Sequence, residues 1–298
     1  MDTMVMFKKY LQLARLPNAF TSPTNVVAGY LAVTPISELN YVNLGILMAS
    51  SMLFYVSGVI FNDYFDIEID RKERPSRPLP SGAISKKTTI QIAIVLMASA
   101  ITLAFFVSWS SFVIALFLAS MIIGYDYRLK NNKIFSPITM GGTRFLNVIM
   151  GASPALLSFQ SNLSELGFVA SSVFAYVVVI TLFSKKELSG IKSKRHTIIL
   201  FSIIYAIIAA ITIVTFLGLF KTWGLVILVP YSIIMSFIFK QALVGDASSI
   251  QRVIKNMVIS IIILDSIFVS GVAGLSYGLS TLLFLLPAIL LSKKFYVT

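Results

Sequence analysis

Residues 43–70 read NLGILMASSMLFYVSGVIFNDYFDIEID, and the two halves of that stretch settle what kind of molecule this is. The first half, 43–61, is uncharged and, as a helix, long enough to cross a hydrocarbon core of roughly 30 Å. The second half, Asn62 to Asp70, turns abruptly acidic. Of the 12 acidic residues in the whole chain, Asp63, Asp66, Glu68, Asp70 and the nearby Glu73 fall in this one place. A membrane span that ends in crowded carboxylates implies a polar ligand at the membrane surface.

Working outward, apolar stretches of similar length follow one another along nearly the whole sequence. Candidate spans lie near 18–36, 43–61, 87–107, 110–125, 137–158, 165–184, 196–219, 222–240, 253–274 and 277–292. With 57% hydrophobic and 12% charged residues and a mean hydropathy of +0.89, the chain reads as an all-α polytopic integral membrane protein forming one domain, 1–298. The net charge of +12 does not point to nucleic acid, because the basic residues fall almost wholly into alternate loops. Lys8, Lys9 and Arg15, then Arg71 to Lys87, Arg128 to Lys133, Lys185 to Arg195, Lys240 to Lys255, and Lys293 with Lys294 share one side; Lys221 stands alone on the other. By the positive-inside rule both termini and the acidic loop are expected in the cytoplasm of a prokaryotic cell.

Residues 1–15 lack the continuous apolar core and small-residue cleavage site of a removable signal peptide. With no cysteine and a single histidine, His196, the chain cannot build thiolate or multi-histidine metal sites. Its chemistry must rest on carboxylates, amides, hydroxyls and basic groups.

At about 100° per residue, Asp63, Asp66 and Asp70 fall on one face of a helix, with Asn62 beside them. Crowded carboxylates repel unless protonated or bridged by a hard cation. Mg²⁺ takes one or two carboxylates and shares substrate phosphates, so the expected ligand is a diphosphate held by Asp63, Asp66 and Asp70 through the metal. The following RKERPSRPLPSG ends the helix with prolines and fixes a loop carrying Arg74 and Arg77, whose guanidinium groups suit the same diphosphate.

The run NDYFDIEIDRKERPSRPLPSG resembles the first motif, N-D-x-x-D-x-x-x-D, of the UbiA superfamily of intramembrane prenyltransferases, and is similar to that of the archaeal ether-lipid synthases and their bacterial relatives. LARLPN at 13–18 resembles the family's R-x-P-N element, Tyr125 to Lys130 its tyrosine-and-lysine loop, and GTRFLN at 142–147 with Gly151 its fifth-helix signature. The resemblance implies a ring of helices around a central cavity, where an isoprenyl chain passes from a Mg²⁺-bound isoprenyl diphosphate to a small-molecule or lipid acceptor; the family's usual nine helices against the ten spans read here give an expectation of nine to ten transmembrane helices, with either 222–240 or one of the last two spans re-entrant or broken. It also implies that Lys130 joins the aspartates in catalysis and that Tyr125 faces the cavity.

The family's second aspartate motif, D-x-x-x-D, is missing. The corresponding segment, SKKELSGIK at 184–192, keeps only Glu187 and aligns Gly190 with the family glycine, leaving Ile191 at the last acidic position. Two readings follow. Lys185, Lys186, Lys192 and Lys194 contact the diphosphate in place of a second metal, or prenyl transfer is lost and the protein binds or moves an isoprenoid-like lipid. An ion-coupled transporter fits less well, since the acids stand at a helix end and not at mid-membrane.

Arg144, inside a predicted helix, is either a snorkelling anchor or a phosphate contact facing the cavity, and Asn147 on the same face favours the cavity. Asn18 and Asn25, seven apart, share a face that can also reach it. Asp265 reads as a hydrogen-bonding partner for a neighbouring helix. The terminal Phe295-Tyr296-Val297-Thr298 and Asp265 also resemble a bacterial branch of UbiA-like proteins.

Overall fold

The computed structural model describes residues 3–156, 162–191 and 193–292. Lys192, the end of the expected span 137–158 and the terminal Phe295 to Thr298 lie outside them. The described elements are helices: α1 (Thr3–Leu13), α2 (Leu16–Ala19), α3 (Thr21–Val33), α4 (Tyr41–Phe65), α5 (Ile67–Glu73), α6 (Lys86–Val107), α7 (Trp109–Tyr127), α8 (Phe135–Ala152), α9 (Leu163–Ser184), α10 (Lys194–Phe216), α11 (Trp223–Ala242), α12 (Ala247–Val272), α13 (Leu275–Leu282) and α14 (Leu285–Ser292). Hydroxyl, amide and carboxylate side chains start several of them by accepting an otherwise orphaned N–H: Asn40 from Asn43, Ser85 from Thr88, Ser108 from Ser111 and Asp246 from Ser249.

Among the described residues, eight helical segments are long and apolar enough to cross a membrane: α4, α6, α7, α9, α10, α11, α12 and the broken pair α13–α14. The other two expected spans take a different form. The stretch 18–36 breaks at Phe20, and α3 is 13 residues long with every one buried. The stretch 137–158 becomes α8, which carries Arg144 and Asn147 on its buried face. Length and apolarity alone therefore do not give nine or ten. Both helices are central, and both carry polar groups that lipid would not tolerate.

These two helices touch backbone to backbone. A Cβ on Gly29 would collide with the carbonyl of Val148, and one on Gly151 with the carbonyl of Val26. A glycine at each crossing point lets α3 and α8 approach this closely, the usual device for packing helices in lipid. The approach carries Arg144 and Asn147 against the polar residues of α3. Around this pair stand α4, α9 and α12, while Phe106, Phe216, Leu217 and Val229 are among the many large apolar side chains facing outward. In a bilayer that outward face meets lipid.

Candidate active site

The acidic stretch folds as two helices meeting at Asp66, where φ is −91° and ψ 6°. The helical bonds run through the junction, Asp66 N–H to Asn62 O at 3.0 Å and Asp70 N–H to Asp66 O at 2.8 Å. Asp63 and Asp70 consequently stay on one side, each 2% exposed.

Each aspartate faces a cation. Asp63 Oδ1 accepts from Arg15 Nη2 at 2.5 Å and lies 3.4 Å from Arg77 Nη1. The same Arg77 nitrogen donates to Asp70 Oδ2 at 2.8 Å, and Arg74 Nη1 stands 4.0 Å from Asp70 Oδ1. Asp66 Oδ1 pairs instead with Lys130 Nζ at 2.7 Å, and that ammonium also donates to Asn62 Oδ1 at 3.3 Å. Among the described residues no three acidic side chains group closely enough to hold a metal ion by themselves. In this arrangement basic partners relieve the carboxylate repulsion that the spacing implies.

Two long-range features build this cluster. Arg15 precedes Pro17 at the start of α2 and adopts a left-handed backbone with φ 42°, seldom taken by residues other than glycine. That turn directs its guanidinium across to α4. Burial works against the Arg15 charge, but Asp63, Tyr55 and Asp70 outweigh it and hold its pKa above the ordinary value. The proline-rich loop folds back on itself through Arg77 N–H to Arg74 O at 3.1 Å and Ile84 N–H to Pro78 O at 3.2 Å, with Leu79 and Ile84 buried beneath it. Arg77 is the opposite case to Arg15. Burial and then repulsion from Arg15 push its pKa down, despite Asp63 and Asp70, and its Nη2 is buried with no hydrogen-bond partner.

A cavity of about 320 Å³ opens beside the cluster, within the range of small-molecule sites. Arg15, Asn62, Arg74, Arg77, Asp126 and Glu187 line its mouth. Asp63, Asp66, Asp70 and Lys130 stand behind that lining. Phe54, Val59, Ile122, Val177 and Ile180 make the walls apolar. Further in, Ser51, Tyr55, Arg144 and Asn147 form a second polar end.

The other expected site residues divide. Asn18, Tyr125, Arg144, Asn147 and Glu187 line the cavity. Glu187 Oε2 lies 3.2 Å from Arg74 Nη2, joining the two long loops. Asn25 is fully buried behind the lining, where it contacts both Arg144 and Asp265. Asp265 bonds to α3, through Thr24 and Asn25, as its mid-helix position suggests. Of the four lysines expected on the diphosphate, Lys192 lies outside the described residues, and Lys185, Lys186 and the exposed Lys194 do not line the cavity. Lys185 turns away and donates to Asn132 O at 2.9 Å and Lys133 O at 3.2 Å, and Lys186 is exposed and outside the cavity lining. Arg15, Tyr55 and Asp126 emerge only in three dimensions. The R-x-P-N element is the available signal for Arg15, and adjacency to Tyr125 the one for Asp126.

The comparisons with known proteins agree with this fold. The UbiA prenyltransferase family model matches residues 23–262. The digeranylgeranylglyceryl phosphate synthase of Methanococcoides burtonii is 36% identical over 149 residues, 47% of this chain and 53% of that protein. The match thus spans about half of that relative's length. An apo UbiA homologue from Aeropyrum pernix superposes with a TM-score of 0.69 at 14% identity, covering 85% of this chain and 96% of the other. A UbiA homologue from Archaeoglobus fulgidus bound to GPP and Mg²⁺ gives 0.54 at 16% identity over 92% and 99%. At such identities the structures speak to the fold alone. With the family model covering most of its length, the chain belongs to the UbiA prenyltransferase family.

Proposed function

We propose that the protein is an integral membrane prenyltransferase of one domain, which moves an isoprenyl group from its diphosphate to an acceptor in the membrane. The observation that carries this reading is Arg77: a half-buried guanidinium at the mouth of an apolar chamber, flanked by Arg15 and Arg74, with one nitrogen buried and unpartnered. A diphosphate supplies the missing acceptor atoms and relieves the repulsion between the arginines. The apolar walls receive the isoprenyl chain and keep water from the carbocation that forms as diphosphate leaves.

The donor set fits Mg²⁺ shared with a diphosphate, not a protein-only cage. Asp63 and Asp70 share one guanidinium nitrogen and offer hard oxygen ligands, while Asp66 pairs with Lys130, and Mg²⁺ needs only one or two carboxylates when phosphates complete its shell. When bound, the metal neutralises charge on the leaving diphosphate. Lys130 holds Asp66 and Asn62 in place beside it. The relative from Archaeoglobus fulgidus, solved with GPP and Mg²⁺, supports this assignment. The clustering of basic residues near the mouth supports placing it on the cytoplasmic side of a prokaryotic cell membrane.

The test incubates purified protein in liposomes with labelled geranylgeranyl diphosphate, with and without Mg²⁺, beside Asp66→Ala. Magnesium-dependent release of diphosphate that the variant lacks is the expected result. A second reading, a lipid carrier without turnover, is favoured by the engagement of Glu187 with Arg74 and of Lys185 with backbone carbonyls. Tight binding of the diphosphate without its release would establish that reading instead.

A further inference from the structure

All but one of the carboxylates at the cavity mouth already have a basic partner. Asp63 pairs with Arg15, Asp66 with Lys130, Asp70 with Arg77 and Glu187 with Arg74. The exception is Asp126, the penultimate residue of α7. It is 3% exposed and lines the cavity, yet it has no ion pair and no hydrogen bond among the described residues.

Everything else about its position disfavours a negative charge. The C-terminus of a helix carries the negative end of the backbone dipole, and α7 ends one residue later. Of the charges that act on Asp126, those of Asp66 and Asp63 repel it. Lys130, four residues on, offers attraction but no contact, because its ammonium is committed to Asp66 at 2.7 Å and to Asn62 at 3.3 Å. The backbone cannot carry the side chain away. Tyr127, the next residue, packs edge-on against Phe65 with ring centroids 5.7 Å apart, which pins the end of α7 to the end of α4. A buried acid that bonds to nothing has no structural bond to explain it, and facing a cleft it marks a ligand site.

Competition for a cation follows from this accounting. To take a divalent ion, each matched carboxylate must first give up or share a basic partner in a partly buried pair, which costs free energy. Asp126 gives up nothing. A hard cation set between it and a diphosphate also turns its repulsion from Asp66 into shared attraction, and needs no closed cage of protein ligands.

We infer that Asp126 of α7 is a further ligand of the diphosphate-bound divalent cation, supplying from a third element the acidic oxygen that the second long loop, with Glu187 turned to Arg74, does not. The diphosphate comes from the prenyltransferase reading, on which this assignment rests.

Full-length protein in phosphatidylcholine nanodiscs is dialysed to equilibrium against Mn²⁺, a countable stand-in for Mg²⁺, with labelled inorganic pyrophosphate in excess. Mn²⁺ is read by electron paramagnetic resonance after acid release, and a parallel dialysis with EDTA measures pyrophosphate binding without metal. Asp126→Asn is expected to weaken retention of Mn²⁺ by about 10-fold or more, the scale on which even supporting groups affect metal affinity, and Asp126→Glu to recover part of it. Without metal the sign reverses. Removing a negative charge beside the diphosphate leaves pyrophosphate binding unchanged or tighter, whereas a merely structural role weakens both. Glu68→Gln, whose exposed carboxylate pairs with Arg71, is the control and changes neither. Undiminished Mn²⁺ retention in Asp126→Asn, or an equal loss of pyrophosphate with and without metal, overturns the inference; if that variant does not melt cooperatively, the same comparison in Asp126→Ser decides. Mn²⁺ retained through Asp126 with no pyrophosphate bound would sink the prenyltransferase reading and leave this ligand standing. Metal-dependent pyrophosphate binding indifferent to Asp126 would do the reverse.

Discussion

The two long loops at the cavity mouth differ in what they contribute. The first, following α4, joins Asp63 and Asp70 through Arg77, pairs Asp66 with Lys130, and supplies Arg74 and Arg77 to the lining. The second, following α9, sends Lys185 to the carbonyls of Asn132 and Lys133, Glu187 to Arg74, and Gly190 against the turn before α12, where Ile191 N–H donates to Gly245 O at 2.8 Å. One loop holds the charges proposed to meet the diphosphate. The other braces that loop against its neighbours. On the proposed function, the second loop, which keeps only Glu187 of the family's acidic motif, serves as a brace while the first carries the site.

The largest effect should come from the first loop. Asp70→Ala strips Arg77 of its shortest ion pair and removes a proposed ligand for the shared metal, so transfer is expected to fall by about 10²–10³-fold, read as kcat. Breaking the brace should act on stability instead. Gly190 has φ +70°, and a Cβ there would collide with the carbonyl of Gly245. Gly190→Ala is expected to destabilise by ~1–3 kcal/mol, seen as a lower melting temperature, with the remaining folded protein turning over normally. A Gly190→Ala protein that melts normally but has lost kcat would move the second loop into the chemistry.

A smaller change tests the link between the loops. Glu187→Gln removes the ion pair with Arg74, which is partly solvated, and is expected to shift KM for the isoprenyl diphosphate by less than about 10-fold while the Mg²⁺ requirement stays as it was. A changed metal requirement would make Glu187 a ligand and bring the loops closer in role.

The uneven legibility of the two loops has a physical source. The membrane spans can be read because apolar length is a local property, and the shared side of Asp63 and Asp70 because helical periodicity survives the junction at Asp66. The partners cannot. Arg15 meets Asp63 from 48 residues away and Asn25 meets Asp265 from 240, distances over which no periodicity runs. The break at Phe20 escapes detection because hydropathy is blind to where a helix turns, whereas the break within 275–292 falls in one of the spans that the excess over nine helices marks as a candidate. Charge alone assigns Lys185 to the diphosphate, but its direction is set by the packing of Gly190 on Gly245 and by the carbonyls that end the turn after α7.

Lys185 gives the smallest expected effect and bears most directly on whether lysines replace a second metal. Burial, then repulsion from Lys133, lowers its pKa, so no bound anion is needed to explain its environment, and its hydrogen bonds go to backbone carbonyls. A phosphate contact would give Lys185→Ala a KM increase of roughly 10-fold or more, since a charge-assisted bond to an anion is worth about 1.5–3 kcal/mol. A brace to main-chain oxygens on a solvated surface predicts instead a change within about twofold in KM and within ~0.5 kcal/mol in stability. A depressed pKa means that the folded state disfavours the charged amine, so any stability that Lys185→Ala recovers should be complete at neutral pH. It should then fade as pH rises from the lowered value towards that of an ordinary lysine, where the amine is neutral in both states. A KM of the unsubstituted protein that climbs as Lys185 loses its proton would show that its charge meets the diphosphate, and the division of labour between the loops would fail.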